Sequence, residues 1–411
     1  MAIGVHPLPQ SQTKTKSRPT TSTDRLGALD AYRGFVMLAM ASGGLGMAHL
    51  LKDPTWGWLA DQLEHRQWVG CTFWDLIQPS FMFIVGAAMP FSFARRQEQG
   101  QSWGKQFGHV LWRALLLVLI GIALDSYGKS APVVQMIRVL QQIAIGYVLA
   151  FLVLQRGPLV QAVAAAGLLG VHTAAFLWYG RAHGTDAWLR DQNVGTWLDQ
   201  LMHDRLSTFG EQVTQNFFGC HNTVALMPLS TGGYVTFNAV SSAATILFGV
   251  LCGELFRSEW PGSRKLTVLG LAGVGGLLLG GLLAGGVYGI GDWHVALPTL
   301  VPLVKRIWTS SFAVFAAGWT CLMMFAFFLV IDVWKLRAWS LPLVVVGMNS
   351  ILMYVLAQVL KGPVREALKP FVQGPLSYLP KAGPVILSAL IVAGLWLICY
   401  GLYRRRIFLR L

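Results

Sequence analysis

Apolar residues along this chain group into runs of about 20 positions, separated by shorter polar segments. A helix rises about 1.5 Å per residue, so such a run crosses a hydrocarbon core about 30 Å thick. We therefore predict an all-α fold, a polytopic membrane bundle of about ten transmembrane helices, with ten or eleven as the range. The predicted spans are 31–51, 71–93, 107–124, 132–154, 158–178, 237–256, 267–288, 308–331, 341–360 and 384–403.

The composition supports this fold class. Hydrophobic residues make up 54% of the 411 positions and charged residues only 12%, whereas an ordinary soluble domain has roughly 25% charged residues. So few charges cannot cover a water-soluble surface. The five cysteines stand singly, without C-x-x-C spacing, so we expect neither a disulfide framework nor a metal site.

The net charge of +14 comes from short Lys and Arg clusters between the apolar runs. With an even number of spans, most clusters share one side with both termini, and the positive-inside rule makes that side cytosolic. Membrane topology therefore explains the charge, and we expect no nucleic-acid partner. No Asn lies in an N-x-S/T sequon and the start lacks a signal-peptide pattern, which favours a multi-pass protein of the bacterial cytoplasmic membrane.

Two kinds of segment fall outside the apolar runs. Residues 1–25 are rich in Thr, Ser, Gln, Pro and Lys, so we expect a disordered cytosolic tail before a transmembrane domain at 26–411. Two outward-facing loops, 52–70 and 179–236, are longer than a connector needs. The second mixes aromatic, acidic and histidine residues, which suits a folded cap over a site; an ordered plug without chemistry is the alternative.

Ionisable residues at membrane level are costly and are therefore candidates for function. A loop histidine, His65, precedes by ten positions a carboxylate, Asp75, that begins a span. Histidine is the side chain best suited to accept a proton near neutral pH. A lone loop histidine is more often a solvated polar group, and His203 and His221 compete with His65 for the same role on equal terms.

The fourth predicted span carries a polar face. Arg138 and Gln142 are four positions apart, so on a helix they lie on one side. Such a face must look into the bundle or a water-filled cavity.

Several sequence motifs occur along the chain in the order in which one known family has them. This shared order argues against a chance resemblance. They are L-D-x-x-R-G at 29–34, H-x-x-W-x-G-x-T-x-x-D-x-x-x-P at 65–79, F-x-F-I-V-G at 81–86, R-V-L-Q-Q-I-A at 138–144, F-G-V-L-C-G-E at 248–254, K-R-I-W-T-S-S-F at 305–312 and G-M-N-S at 347–350. In these motifs the chain resembles the heparan-alpha-glucosaminide N-acetyltransferase family.

The resemblance implies an enzyme, an acetyltransferase that takes an acetyl group from cytosolic acetyl-CoA as co-substrate and places it on an amino sugar or other glycan acceptor across the membrane. It implies that the essential catalytic histidine is His65, and Asp75 is placed to orient its imidazole. The expected substrate or acyl-CoA-binding residues are Arg138, Gln142, Lys305, Trp308 and Asn349, with no metal. The expected partners are the lipid bilayer and a small-molecule or glycan acceptor, and a homodimer is left open.

The chain departs from the family pattern at two places. Where the family has an Asn in the first span, the sequence reads Ser42-Gly43-Gly44, and Val304 precedes Lys305 where the family has Asn before Lys. Both differences bear on the acceptor more than on the type of reaction.

The alternative function is a secondary transporter or flippase for a sugar or lipid-linked glycan, because Gly-rich helices and buried charges also suit moving bundles. The Gly-rich seventh span, with glycines at 270–281, equally indicates close helix packing.

Overall fold

The computed structural model describes residues 26–213, 225–230, 232–286 and 299–409. Within these ranges the regular secondary structure is helical apart from two strands of two residues each, which confirms the predicted all-α class. The predicted disordered tail, 1–25, and the competing residue His221 lie outside the described residues.

The first half of the described chain forms seven α-helices and one short strand. They are α1 Gly27–Ser42, α2 Gly57–Gln62, α3 Ile77–Glu98, α4 Trp103–Ser126, β1 Val133–Val134, α5 Val139–Val153, α6 Pro158–His183 and α7 Val194–Val213. The second half contains β2 Ala225–Leu226, α8 Asn238–Arg257, α9 Gly262–Leu283, α10 Ser310–Phe327, α11 Leu341–Met348, α12 Ser350–Val359, α13 Lys361–Ser377 and α14 Gly383–Arg404.

Seven of the described helices are long and apolar enough to cross a membrane, or eight if the bent pair Ala338–Met348 and Ser350–Val359 forms one span. The chain is thus a multi-pass membrane protein, but the count of about ten is not confirmed. Two predicted spans are short helices: α1 has 16 residues and α5 has 15. Helix α1 ends at Gly43 because that residue and Gly44 have positive φ angles of 57° and 70°, which break the helix.

Helices α3 and α8 pack closely against each other, and both are largely buried in the bundle. Glycines let their backbones touch: a Cβ atom at Gly86 would overlap the carbonyl oxygen of Ile246, and one at Gly249 would overlap that of Phe83. Close approach of this kind is the usual way in which membrane helices gain packing energy, because lipid offers no hydrophobic driving force between them. Helix α3 is therefore fixed in the bundle, and it carries the candidate site at its start.

Replacing Gly86 with alanine should destabilise the protein by about 1–3 kcal/mol, because the new methyl group must push α3 and α8 apart. The measurement is thermal unfolding of the purified protein in detergent, compared with Gly104→Ala. Gly104 lies in α4 with no atom within 4 Å of an added Cβ, so this control should leave the melting temperature unchanged or raise it slightly. Equal melting temperatures for the two variants would contradict the packing argument.

Two loops meet at the end of the bundle where α3 begins. Val69 and Val304 form an antiparallel bridge, and the amide of Gly70 donates to the carbonyl of Leu303 at 2.8 Å. The loop before α3 and the turn before α10 are thus joined by backbone hydrogen bonds, although they are far apart in the sequence.

Candidate active site

Asp75 lies in a short 3₁₀ helix, Phe73–Leu76, that leads into α3 and begins with a capping box at Thr72. Its carboxylate oxygen Oδ2 accepts hydrogen bonds from the amides of Thr72 and Arg66, both at 3.2 Å. The Thr72 hydroxyl lies 3.1 Å from the same oxygen, and it donates to the Glu64 carbonyl at 2.6 Å. The Asp75 side chain is only 1% exposed. The two amide donors fix the orientation of the carboxylate and leave Oδ1 directed at other partners.

His65 is the first of those partners. Its Nδ1 lies 2.7 Å from Oδ1 of Asp75, while the imidazole remains 41% exposed. An ionised carboxylate only accepts hydrogen bonds, so the ring proton belongs on Nδ1 and the lone pair on Nε2. Within the described parts of the chain Nε2 has no hydrogen-bond partner. The pair therefore presents a basic nitrogen at an accessible position.

Lys305 is the second partner. Its Nζ lies 3.3 Å from Oδ1 of Asp75 and 3.1 Å from Nδ1 of His65. The lysine side chain is only 8% exposed. Burial lowers the pKa of Lys305, and the charge of Asp75 acts in the opposite direction. Carboxylate, imidazole and ammonium thus form one compact cluster, in which His65 is the member most open to solvent.

The turn that carries Lys305 is held at several points. The Thr309 hydroxyl donates to the Pro302 carbonyl at 2.7 Å and accepts from the Val304 amide at 3.1 Å. Trp308 is buried with a φ of 51°, a conformation that bulky residues rarely adopt, and its indole donates to the Thr245 hydroxyl at 3.2 Å. Trp308 therefore supports the turn from α8, away from the solvent-exposed face of His65.

Gln142 belongs to a chain of amides that crosses the bundle beside this turn. It accepts from Gln78 of α3 at 2.8 Å and donates to Asn238 of α8 at 2.8 Å. Asn238 in turn donates to the backbone carbonyl of Arg306 at 3.2 Å. The chain connects α3, α5 and α8 to the residue next to Lys305.

Arg138 forms a separate ion pair with the buried carboxylate of Asp125, at the end of α4. Gln135 and Gln141 donate to the same carboxylate at 2.7 and 3.2 Å. The arginine side chain is 33% exposed. The predicted polar face of this span is present, but its arginine is paired with Asp125 and not with the His65 cluster.

Asn349 lies at the bend between α11 and α12, which is 73°. Its amide donates to the carbonyl of Ile407 at 3.1 Å, and its oxygen accepts from the Leu409 amide at 3.0 Å. Asn349 thus ties the broken helix to the segment after α14 and does not contact His65. The other competing histidine, His203, lies on α7 with its Nδ1 3.2 Å from the carbonyl of Met227.

The described parts of the long loop 179–236 pack on the two joined loops. Trp68 donates its indole hydrogen to the carbonyl of Trp188 at 3.0 Å. Arg306 hydrogen-bonds the carbonyl of Gly232 and lies 5.4 Å above the ring of Tyr234. Burial raises the pKa of Tyr234, while the charge of Arg306 opposes that shift. The loop thus contacts Trp68, which is close in sequence to His65, and Arg306, which follows Lys305.

Three residues of this site were missed by the sequence reasoning. Thr72 orients Asp75 and was signalled by the capping-box spacing T-x-x-D. Gln78 and Asn238 complete the amide chain, but each is a single polar residue at the start of an apolar helix, and nothing in the sequence couples them. No group of three His, Cys, Asp or Glu side chains that could hold a metal occurs among the described residues.

An imidazole oriented by a buried carboxylate, at the end of a membrane helix bundle, defines a site suited to removing a proton from a nucleophile. Residues 25–189 match the family described as heparan-alpha-glucosaminide N-acetyltransferase, catalytic. This match confirms the resemblance found in the motifs and includes both His65 and Asp75.

Two curated relatives carry the same name. The chain is similar to the heparan-alpha-glucosaminide N-acetyltransferase of Mus musculus, with 30% identity over 102 residues, which cover 25% of this chain and 14% of the relative. It is similar to that of Homo sapiens with 31% identity over 98 residues, which cover 24% of this chain and 13% of the relative. These matches support the predicted acetyltransferase class. The chain thus aligns with well under a fifth of the length of either relative.

Proposed function

We propose that this protein is a membrane-embedded acetyltransferase that moves an acetyl group from acetyl-CoA to an amine or hydroxyl of a glycan acceptor. The observation that carries the proposal is the 2.7 Å contact between Nδ1 of His65 and Oδ1 of Asp75, with the imidazole partly exposed. In this arrangement His65 acts as the general base through Nε2, and Asp75 keeps the imidazole in the required tautomer.

The proposed reaction conserves atoms and charge. The acceptor nitrogen or oxygen attacks the thioester carbonyl carbon, while Nε2 of His65 takes the proton that the acceptor loses. The tetrahedral intermediate then expels CoA sulfur as the carbon–sulfur bond breaks, and the imidazolium returns the proton to that sulfur. Asp75 stabilises the imidazolium between these two steps, since its carboxylate is fixed beside Nδ1.

The donor and the acceptor are proposed to approach from opposite sides. Basic residues at the far ends of the spans, such as Arg95, Arg96 and Arg264, suit the phosphates of cytosolic CoA. The acceptor would reach His65 on the outer face of the cytoplasmic membrane, under the loop 179–236. An amino sugar is the first candidate, because the relatives are named for glucosaminide N-acetylation.

The five binding candidates are proposed to act in different ways. Lys305 lies in the cluster itself, and Gln142 is linked to the neighbouring residue through Asn238. Arg138, Trp308 and Asn349 hold α5, the Lys305 turn and the broken helix in place. We therefore propose that the first two border the thioester and that the other three shape the bundle around it.

The test is acetyl transfer by protein purified in detergent, supplied with isotopically labelled acetyl-CoA and a panel of amino sugars. We expect release of free CoA together with a labelled acceptor, identified by mass spectrometry. In proteoliposomes, acetyl-CoA and the acceptor should still react when they are supplied on opposite sides of the membrane. If no acceptor stimulates thioester consumption above the rate of empty detergent micelles, the proposed function is wrong.

One observation favours a second candidate, a sugar transporter or flippase. A helix broken at membrane level, such as α11 and α12 with their 73° bend, is typical of transporter binding sites. The same proteoliposomes distinguish the two functions. A transporter accumulates labelled sugar without consuming thioester, whereas the acetyltransferase leaves the acceptor acetylated.

A further inference from the structure

The buried ammonium of Lys305 shares one carboxylate oxygen with His65. Oδ1 of Asp75 lies 2.7 Å from Nδ1 of His65 and 3.3 Å from Nζ of Lys305. The two nitrogens are themselves 3.1 Å apart. With Asp75 ionised and Lys305 protonated, the cluster is neutral as long as the imidazole is neutral.

Protonation of His65 on both nitrogens would change this balance. It would place an imidazolium next to an ammonium that is almost fully buried, and like charges at such distances disfavour the second proton. Without the ammonium, the same imidazolium would face only the carboxylate of Asp75, which favours it. Lys305 therefore opposes the effect of Asp75 on the charge of His65, although both residues contact the same nitrogen.

Other ionisable groups near the cluster do not replace the lysine. The guanidinium of Arg66 is paired with Asp61 at 2.9 and 3.0 Å, and that of Arg306 with the Gly232 carbonyl. Burial raises the pKa of the Cys71 thiol and of the Tyr234 hydroxyl, so both are neutral near pH 7. The other ionisable groups that interact electrostatically with Asp75 or Lys305 are His65, Cys71, Tyr234 and Arg306.

The turn before α10 also holds the backbone of Lys305 in a defined position. Trp308 occupies the left-handed region at a φ of 51°, and two hydroxyl groups, those of Thr309 and Ser311, donate to the Pro302 carbonyl at 2.7 and 2.8 Å. A bulky residue in this region is strained and persists only where its surroundings fix it. The turn thus fixes the backbone from which the Lys305 side chain reaches Oδ1 of Asp75 and Nδ1 of His65.

We propose that Lys305 is a positioning residue whose ammonium disfavours a second proton on His65, while Asp75 accepts from Nδ1–H and thereby leaves the lone pair on Nε2. Its relevance to catalysis rests on the proposed function, but its effect on the charge of His65 does not require any substrate.

The experiment measures the rate at which diethyl pyrocarbonate modifies His65 between pH 5 and 9, quantified by mass spectrometry of the peptide that contains it. This reagent attacks only the unprotonated ring. In Lys305→Met we expect the midpoint of the pH–rate curve to move upward by about 1 to 3 pH units. In Lys305→Arg, which keeps the positive charge, the midpoint should stay close to that of the wild type.

Two controls separate a change at His65 from a general change in the reactivity of histidines in the protein. The exposed residue His183 serves as an internal reference whose curve should not move, and Lys369→Met removes an exposed lysine outside the cluster. If Lys305→Met is not monodisperse after purification, Lys305→Gln tests the same point. An unchanged midpoint in both neutral variants, or an equal shift in Lys305→Arg, would overturn the proposal.

The acetyl-transfer assay keeps the two proposals apart. If the wild type transfers no acetyl group while the midpoint shift is found, the proposed function is wrong and the role of Lys305 in the charge of His65 stands. If transfer occurs and its acidic limb does not move in Lys305→Met, the role of Lys305 is wrong and the acetyltransferase stands.

Discussion

Replacing His65 with alanine is expected to lower the rate of acetyl transfer by about 10²- to 10⁴-fold, the usual contribution of a positioned general base. The imidazole is the exposed end of a cluster whose other two members are buried, so it is the group that an acceptor can reach. Removing it leaves binding of the donor untouched, and we expect kcat to fall while KM for acetyl-CoA stays within a few fold. The measurement is the steady-state rate of CoA release with a saturating amino sugar.

The cavity left by this substitution provides an internal check. Because the His65 side chain is 41% exposed, free imidazole added at millimolar concentration should enter the vacated space and restore part of the rate. His203→Ala is the matched control, since that histidine lies on α7 and contacts the Met227 carbonyl. Full activity in His65→Ala, or an equal loss of activity in His203→Ala, would show that His65 is not the general base.

The His65 and Asp75 pair could be predicted because both residues lie in one short segment. The spacing and the family motif nominated them, and the capping box at Thr72 explains how ten positions bring the two side chains together. Lys305 is 240 positions from His65. Its place in the cluster depends on the bridge between Val69 and Val304 and on the φ of Trp308, neither of which follows from hydropathy or local propensity.

The count of about ten spans is not confirmed for a related reason. A hydropathy window counts apolar residues, but it does not register the consecutive glycines with positive φ that end α1 after 16 residues. In the segment 341–360 a hydropathy window averages over Asn349, yet the helix breaks there, where the side chain bonds to the backbone of Ile407 and Leu409. Long-range hydrogen bonds to a polar residue thus decide the break.

The Gly-rich seventh predicted span, which forms α9, is the opposite case. Here the local sequence was sufficient to predict how the helix packs. The interpretation as close packing is confirmed, because a Cβ atom at Gly276 would meet the backbone of Gly318 and one at Gly280 would meet Phe315. Helices α9 and α10 therefore pack through small residues, as such patterns in apolar helices indicate.

Changing Asp75 to asparagine should lower kcat by a factor on the order of 10²–10⁴ although the side chain keeps its size. The Asn amide has one acceptor oxygen, and the backbone amides of Thr72 and Arg66 both require it at the Oδ2 position. The Asn NH₂ group would then face Nδ1 of His65, which forces the ring proton onto Nε2 and removes the lone pair that accepts the acceptor's proton. The rate is measured as for His65→Ala, and here added imidazole should give no rescue.

The same substitution leaves the ammonium of Lys305 buried without its carboxylate, which should cost about 3–5 kcal/mol of stability. Loss of activity and loss of stability can be separated with the double variant Asp75→Asn/Lys305→Met, because it removes the unpaired charge without restoring the carboxylate. We expect the melting temperature to recover in the double variant and the rate to stay low. If activity recovers together with the melting temperature, Asp75 contributes only to folding, and the orientation of His65 must come from another group.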